Sequence, residues 1–217
     1  MAKVRSIIKL SGTLAETTFV DSKTYGAHAR AKRGTYKPIA LADGMQKSAV
    51  VQTKVNELAK IVFDAVNVFV PGFKDGKFWS RLLSVFRQQQ KAGKDYNYRD
   101  FNQLEMRLDY PSSKHGAFWV ANGEGCSVLL HYQIAKDTVY LLRLLRMGSD
   151  ESLLFPYVGE VQETIVEGLE KLNAVSFNFS DLPKEANVLY VLHCEQMIDG
   201  MPAGILKCQS VKFLVSF

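Results

Sequence analysis

A chain of 217 residues, 47% hydrophobic and 23% charged, can bury a sizeable core as one large domain or two small ones. Its net charge of +5 is concentrated in the first 38 residues, where Lys3, Arg5, Lys9, Lys23, Arg30, Lys32, Arg33 and Lys37 face only Glu16 and Asp21; the other nineteen basic and twenty acidic residues leave a near-neutral body, which excludes a general polyanion-binding surface outside the leader. No stretch approaches the ~20 apolar residues of a bilayer span, and only Ile7 and Ile8 precede Lys9, so neither signal peptide nor membrane helix is expected and synthesis is assigned to the cytoplasm.

Residues 5–33 alternate in strand fashion: RSIIKL, a Ser11-Gly12 turn, AETTFV, a polar DSKTYG turn and AHARAKR. In the last, His28, Arg30 and Lys32 share one face and Ala27, Ala29 and Ala31 the other. A ribbon of two or three strands this polar is marginal alone and needs a partner surface. From Asp43 the period changes. Val51, Val55, Leu58, Val62, Ala65 and Phe69 form one helical stripe, with Asp43 as cap, Gln46 in the capping-box position and Pro71-Gly72 as the stop. A second helix follows Asp75-Gly76 with Phe78, Leu82, Leu83 and Phe86, ends at Gly93, and gives a helical pair; a helical turn is expected within YRDFNQLEM.

Beyond residue 104 strands return. AFWVA and CSVLLHYQI read as a hairpin joined by an NGEG turn that Asn122-Gly123 signals, followed by DTVYLLRLLRM, LLFPYVG, VQETIV, AVSFNF, NVLYVLHCEQM and LKCQSVKFLVSF, the last two joined by the DGMPAG loop. The expected fold is α+β and mainly β: a basic β-ribbon arm (1–38), a helical segment (39–103) and an antiparallel immunoglobulin-like β-sandwich (104–217).

Chemistry is sparse. There is no nucleophile elbow, no H-E-x-x-H and no phosphate loop, so no enzyme activity and no catalytic residue is assigned. Cys126, Cys194 and Cys208 are an odd set without metal-type spacing and read as reduced thiols, with Cys194 and Cys208 as cross-strand neighbours. His28, His115, His131 and His193 are scattered. His131 and His193 could approach across the sandwich, but His193 and Cys194 must point to opposite faces of their strand, so no metal and no cofactor is expected. Glu160, Glu163, Glu167 and Glu170 read as a solvated surface, and the aromatics Phe69, Phe73, Phe78, Trp79, Tyr96 and Tyr98 as packing rather than a base-stacking platform.

The opening IIKLSGTLAETTF, with Ile7, Ile8, Lys9, Leu10, Gly12, Thr13, Leu14, Thr18, Phe19, Tyr25 and Arg30 in place, resembles an uncharacterised Bacteroidota family of small proteins with this strand-turn motif, amphipathic helices and an immunoglobulin-like C-terminal domain. The resemblance implies the layout and the bacterial source, and carries no activity. The residues point to a non-enzymatic structural subunit that self-assembles, or joins a phage-like or tube-like assembly, by strand addition through its arm. The contact residues are Lys9, Thr18, Phe19, Tyr25, His28, Arg30, Lys32 and Arg33. Its partners would be other copies of itself, with hetero-subunits of the assembly also open and release in a phage-like particle a further expectation. Two alternatives stay open: a nucleic-acid-binding module using the same arm, and a sandwich that binds peptide or carbohydrate at the loops 122–125 and 199–204.

Overall fold

A computed structural model describes residues 2–3, 11–24, 26–32, 42–154, 156, 159–169, 171–183 and 185–216. They form a mainly β structure with two helices and antiparallel sheets. The chain divides into two compact units, Met1–Ala49 and Val50–Phe217, the division falling within the first helix.

The first unit holds a four-stranded antiparallel sheet in the order β1-β4-β3-β2, from β1 (Ala2–Lys3), β2 (Gly12–Leu14), β3 (Thr17–Ser22) and β4 (Gly26–Ala31). The meander is present, but its first turn is displaced. Gly12 opens β2, and the chain reverses at Ala15-Glu16, where Ala15 takes a left-handed φ of 49° and Leu14 pairs with Thr17. The RSIIKL segment, apart from its neighbour Ser11, lies outside the described residues.

The second unit is built on the part of α1 (Asp43–Phe69) from Val50 onward and on α2 (Phe78–Lys91). The stripe on α1 buries Val55, Leu58, Ala59, Val62, Val66 and Phe69, with Val51 and Ala65 partly buried beside them. Asp43 sits in the first helical turn rather than before it, since the Gln46 amide donates to the Ala42 carbonyl at 3.0 Å. On α2, Phe78, Leu82, Leu83 and Phe86 are buried as their spacing predicts, and Phe63 joins the two helices by contacts with Phe78 and Trp79. Asp75 orders the approach to α2: it accepts from the Lys77 amide at 2.8 Å and pairs with Arg81 at 3.0 Å, while Arg81 also donates to the Met106 carbonyl at 2.7 Å. The expected helical turn is present as a 3-10 turn at Arg99–Phe101.

The strands are β5 (Gly116–Asn122), β6 (Ser127–Ile134), β7 (Val139–Ser149), β8 (Glu160–Glu167), β9 (Asn173–Asn178), β10 (Asn187–Ile198), β11 (Met201–Pro202) and β12 (Gln209–Leu214). One sheet has the order β5-β6-β9; the other runs β8-β7-β10, with β12 and β11 both paired to the far side of β10. Alternation along β7 and β10 sends side chains into two apolar clusters. Leu145, Met147, Leu189, Val191, Val211 and Phe213 pack with the helices, whereas Leu142, Leu144, Tyr190, Leu192 and Leu214 pack with Phe118, Leu130 and Phe177 of the smaller sheet. Helices and strands on either side of residue 103 thus share one apolar cluster.

Three readings need correction. LLFPYVG is not a strand: Leu153 stands at φ 60° in a turn whose amide donates to the Asp150 carbonyl, and its described part contributes only an isolated bridge between Ser149 and Pro156. The last strand starts at Gln209, after a 3-10 turn at Leu206–Cys208. Consequently Cys194 lies opposite Ser210, and Cys208 is not its cross-strand partner. The four-residue NGEG turn is present one residue on, running from Gly123 through Cys126 with Gly125 at φ 63°.

Gly168 is required by close approach. A Cβ on Gly168 would fall inside the Ala135 carbonyl, and the Gly168 amide donates to Thr138 at 2.7 Å. We expect Gly168→Ala to destabilise the second unit by about 1–3 kcal/mol, since backbone must shift to admit the methyl group; equilibrium urea unfolding checks this, and a change below ~0.5 kcal/mol would refute it.

Candidate assembly surfaces

Five of the eight residues assigned to the arm's contact surface are described: Thr18, Phe19, His28, Arg30 and Lys32. Lys9, Tyr25 and Arg33 lie outside the described residues. The register settles how the five are distributed. Thr18 is opposite Arg30 and Val20 opposite His28, so Thr18, His28 and Arg30 share a face, and Lys32 continues that alternation just past β4. Phe19 is opposite Ala29 and therefore belongs to the alanine face, away from the basic residues. The arrangement is two-faced, and no single surface presents all five.

Burial departs from the expected pattern at one residue. His28 is only 9% exposed, and its Nδ1 lies 3.0 Å from the Gly26 carbonyl, so its ring is not presented as a free surface contact. β4 pairs with β3 from Gly26 to Ala31 and, on its other side, with β1 at His28 and Ala29, which makes it an interior strand there; among the described residues the outermost strands of this sheet are β1 and β2. On β2, Thr13 meets Thr18 through their hydroxyls at 3.1 Å, and Leu14 is 73% exposed.

In the second unit the two margins of the larger sheet differ. The outer side of β12 is closed by the chain following the 3-10 turn: the Gln103 amide donates to Phe213, the Phe213 amide to Leu104 and the Met106 amide to Val211, at 2.8–2.9 Å. Among the described residues, β8 at the opposite margin has no strand on its outer side. Beside it lies a groove of about 480 Å³ lined by Ile61, Ala65, Val68, Leu145, Met147 and Val161.

The remaining polar groups fit structural roles. His193 is 1% exposed beneath Phe69 and Phe73; its Nδ1 accepts from Arg143 at 2.8 Å, its Nε2 faces Gln209 at 3.3 Å, and Gln209 in turn donates to Glu195 at 3.1 Å. Desolvation and the adjacent Arg143 guanidinium hold its pKa down to about 4. Cys194 faces the opposite apolar cluster, where burial pushes its thiol well above the ordinary range. His131 stacks on Trp119 on the outer face of the smaller sheet, opposite its buried neighbours Leu130 and Tyr132, whereas His193 faces Phe69 and Phe73, so the structure does not bring the two imidazoles together. Cys126 donates to Asp181, which raises its pKa. All three cysteines are free, and no group of three or more His, Cys, Asp or Glu among the described residues is placed to hold a metal ion. The aromatics of the helical region are packing residues: Phe69, Phe73, Phe78 and Tyr98 are buried in the helix-side cluster, with Trp79 and Tyr96 against it. No helix among the described residues is long and apolar enough to cross a membrane.

No protein-family model matches the chain, and neither a curated protein nor a solved structure matches it.

Proposed function

We propose that this chain is a non-enzymatic structural subunit that self-assembles, or joins a phage-like or tube-like assembly, through its basic N-terminal sheet. One observation carries the reading. The buried apolar residues begin at Val55, so the four-stranded sheet of the first unit has none among its described residues. A sheet of this size gains independent stability from an apolar face packed on something else, and this one leaves Leu14 exposed and Phe19 and Val20 only partly buried among Thr, Ala and basic side chains. A second polypeptide supplies what it lacks. Strand addition suits the purpose, because backbone hydrogen bonds place little demand on side-chain identity.

The body we assign as an immunoglobulin-like sandwich. Lettering β5, β6, β7, β8, β9, β10 and β12 in chain order puts A, B and E in one sheet and C, F and G in the other, with the fourth lettered strand beside C. That partition supports the immunoglobulin-like topology and leaves its strand edges and loops as the surfaces a neighbour can reach.

The test is removal of residues 1–38 followed by mass photometry and negative-stain imaging at low and high salt. The intact chain is expected to form species well above 24.4 kDa that diminish as salt rises, and the truncated chain to stay at single-chain mass with unchanged circular dichroism from the second unit. A full-length chain that remains near 24.4 kDa at every concentration would overturn the proposal. Salt-sensitive retention on DNA that disappears with the arm, without any change in particle mass, would instead establish the nucleic-acid alternative.

A further inference from the structure

Separately from the N-terminal sheet, we infer that two copies of the body join edge to edge through β9, about a two-fold axis at Ser176, merging their two three-stranded sheets into one. Ladder phase and burial decide which margin of the smaller sheet is free. In an antiparallel pair, hydrogen-bonded and non-hydrogen-bonded positions alternate. The Gly123 amide donates to Ser127, so Ala121, Trp119 and Ala117 bond to β6, while Phe118 and Val120 direct their backbone outward. Those two are only 2% and 6% exposed, so the β5 margin is closed. At the other margin the Phe179 amide donates to Cys126, so Phe177, Val175 and Asn173 bond to β6. Ala174, Ser176 and Asn178 turn their N–H and C=O groups outward. All three are exposed, and no backbone hydrogen bond among the described residues reaches those groups.

The strand at this margin is complementary to itself. β9 reads NAVSFN and carries no charge, whereas β8, the open margin of the larger sheet, carries Glu160, Glu163 and Glu167, which antiparallel pairing of two copies would crowd together. An axis at Ser176 pairs Ala174 with the partner's Asn178 and Ser176 with the partner's Ser176, so every outward residue exchanges both of its backbone bonds. Small side chains then meet on the outer face. On the inner face Val175 stands opposite the partner's Phe177, a β-branched and aromatic pair, and the partly buried Val175 gains cover at the margin of the apolar cluster. Charge matches at the ends. The same register places exposed Lys171, two residues before β9, opposite the partner's Asp181, three residues after it, and symmetry repeats the pair at the other end. Moving the axis to Val175 or Phe177 leaves an outward residue of each copy without a strand partner and separates the two charges.

A single strand pair is a small contact, in the range of transient interfaces. It is open near ~100 nM, where mass photometry reads, and forms near ~100 µM. Sedimentation of the full chain near ~100 µM in about 0.3 M salt, which screens the basic arm, is expected to show a species of twice 24.4 kDa. Ser176→Pro removes the central outward N–H while every bond to β6 stays in place; it should weaken pairing by about tenfold or more with unchanged circular dichroism. Lys171→Glu sets like charges together and should weaken pairing roughly threefold, and combining it with Asp181→Lys should restore the wild-type value. A wild-type chain of single mass at this concentration would overturn the contact, and Ser176→Pro associating like the wild type would place it elsewhere. No loss from Lys171→Glu, or no recovery in the double variant, would overturn the register.

Discussion

Replacing Phe213 by alanine is expected to cost about 3–5 kcal/mol, lowering the unfolding midpoint of the second unit by roughly 10 °C or more. Phe213 is fully buried where three elements meet. Its ring lies 5.9 Å from that of Phe78 on α2 and 6.2 Å from that of Phe101 in the 3-10 turn, while its backbone binds Gln103 and Leu104. The side chain therefore fills space that no neighbour can vacate, because both rings facing it are fixed by further contacts, Phe78 with Phe63 and Phe101 with Phe86. The alanine variant leaves a void between helix and sheet, and the cavity adds to the lost transfer energy. Phe213→Leu should cost about 1–2 kcal/mol. Urea unfolding at constant m value discriminates the two, and an alanine variant within 1 kcal/mol of wild type would refute the assignment of this residue as the keystone of the helix-side cluster.

Acidification should remove up to about 3 kcal/mol between pH ~6.5 and ~4 through His193 alone. In the unfolded chain this imidazole takes a proton near its ordinary pKa of 6.5; in the folded chain burial and Arg143 hold it to about 4. Over that window the unfolded state binds more protons, so stability falls as pH falls and levels off once the folded form also titrates. His115, similarly lowered by burial, acts in the same sense, whereas Glu105, raised by burial, opposes it. Comparing wild type with His193→Gln isolates the contribution: the variant should show a shallower decline between pH 6.5 and 4, and parallel profiles would refute it. The chain of donors from Arg143 through His193 and Gln209 to Glu195 explains why an imidazole in this apolar setting stays neutral, since a protonated Nδ1 could not accept from the guanidinium.

How far these features could be read from residue order differs by element. The helices were legible because Val55, Leu58, Val62 and Phe69 repeat at helical spacing, and because Pro71-Gly72 stops the first of them. Most strands were legible from β-branched runs between turn residues. LLFPYVG failed because an apolar run carries no sign of its own backbone angles, and Leu153 spends its burial in a turn. The first reversal of the arm was misplaced because Gly12, a strong turn former, opens a strand, while Ala15, a residue that disfavours left-handed angles, makes the turn. The basic face of β4 was visible in the alternation His28, Arg30, Lys32; that β4 is interior was not, since strand order is a property of the folded sheet. For the same reason nothing in EVQETIVE announces an edge. Its acidic residues read as ordinary solvated surface, and only the strand order of the folded sheet places β8 at a margin.

The strap of residues 103–106 along β12 has a consequence for geometry on a larger scale. With the outer side of β12 occupied from within, any polymer that grew by adding a strand to the larger sheet would have to grow past β8, would repeat one sense at every junction, and would end in two unlike faces unless curvature closed it as a ring.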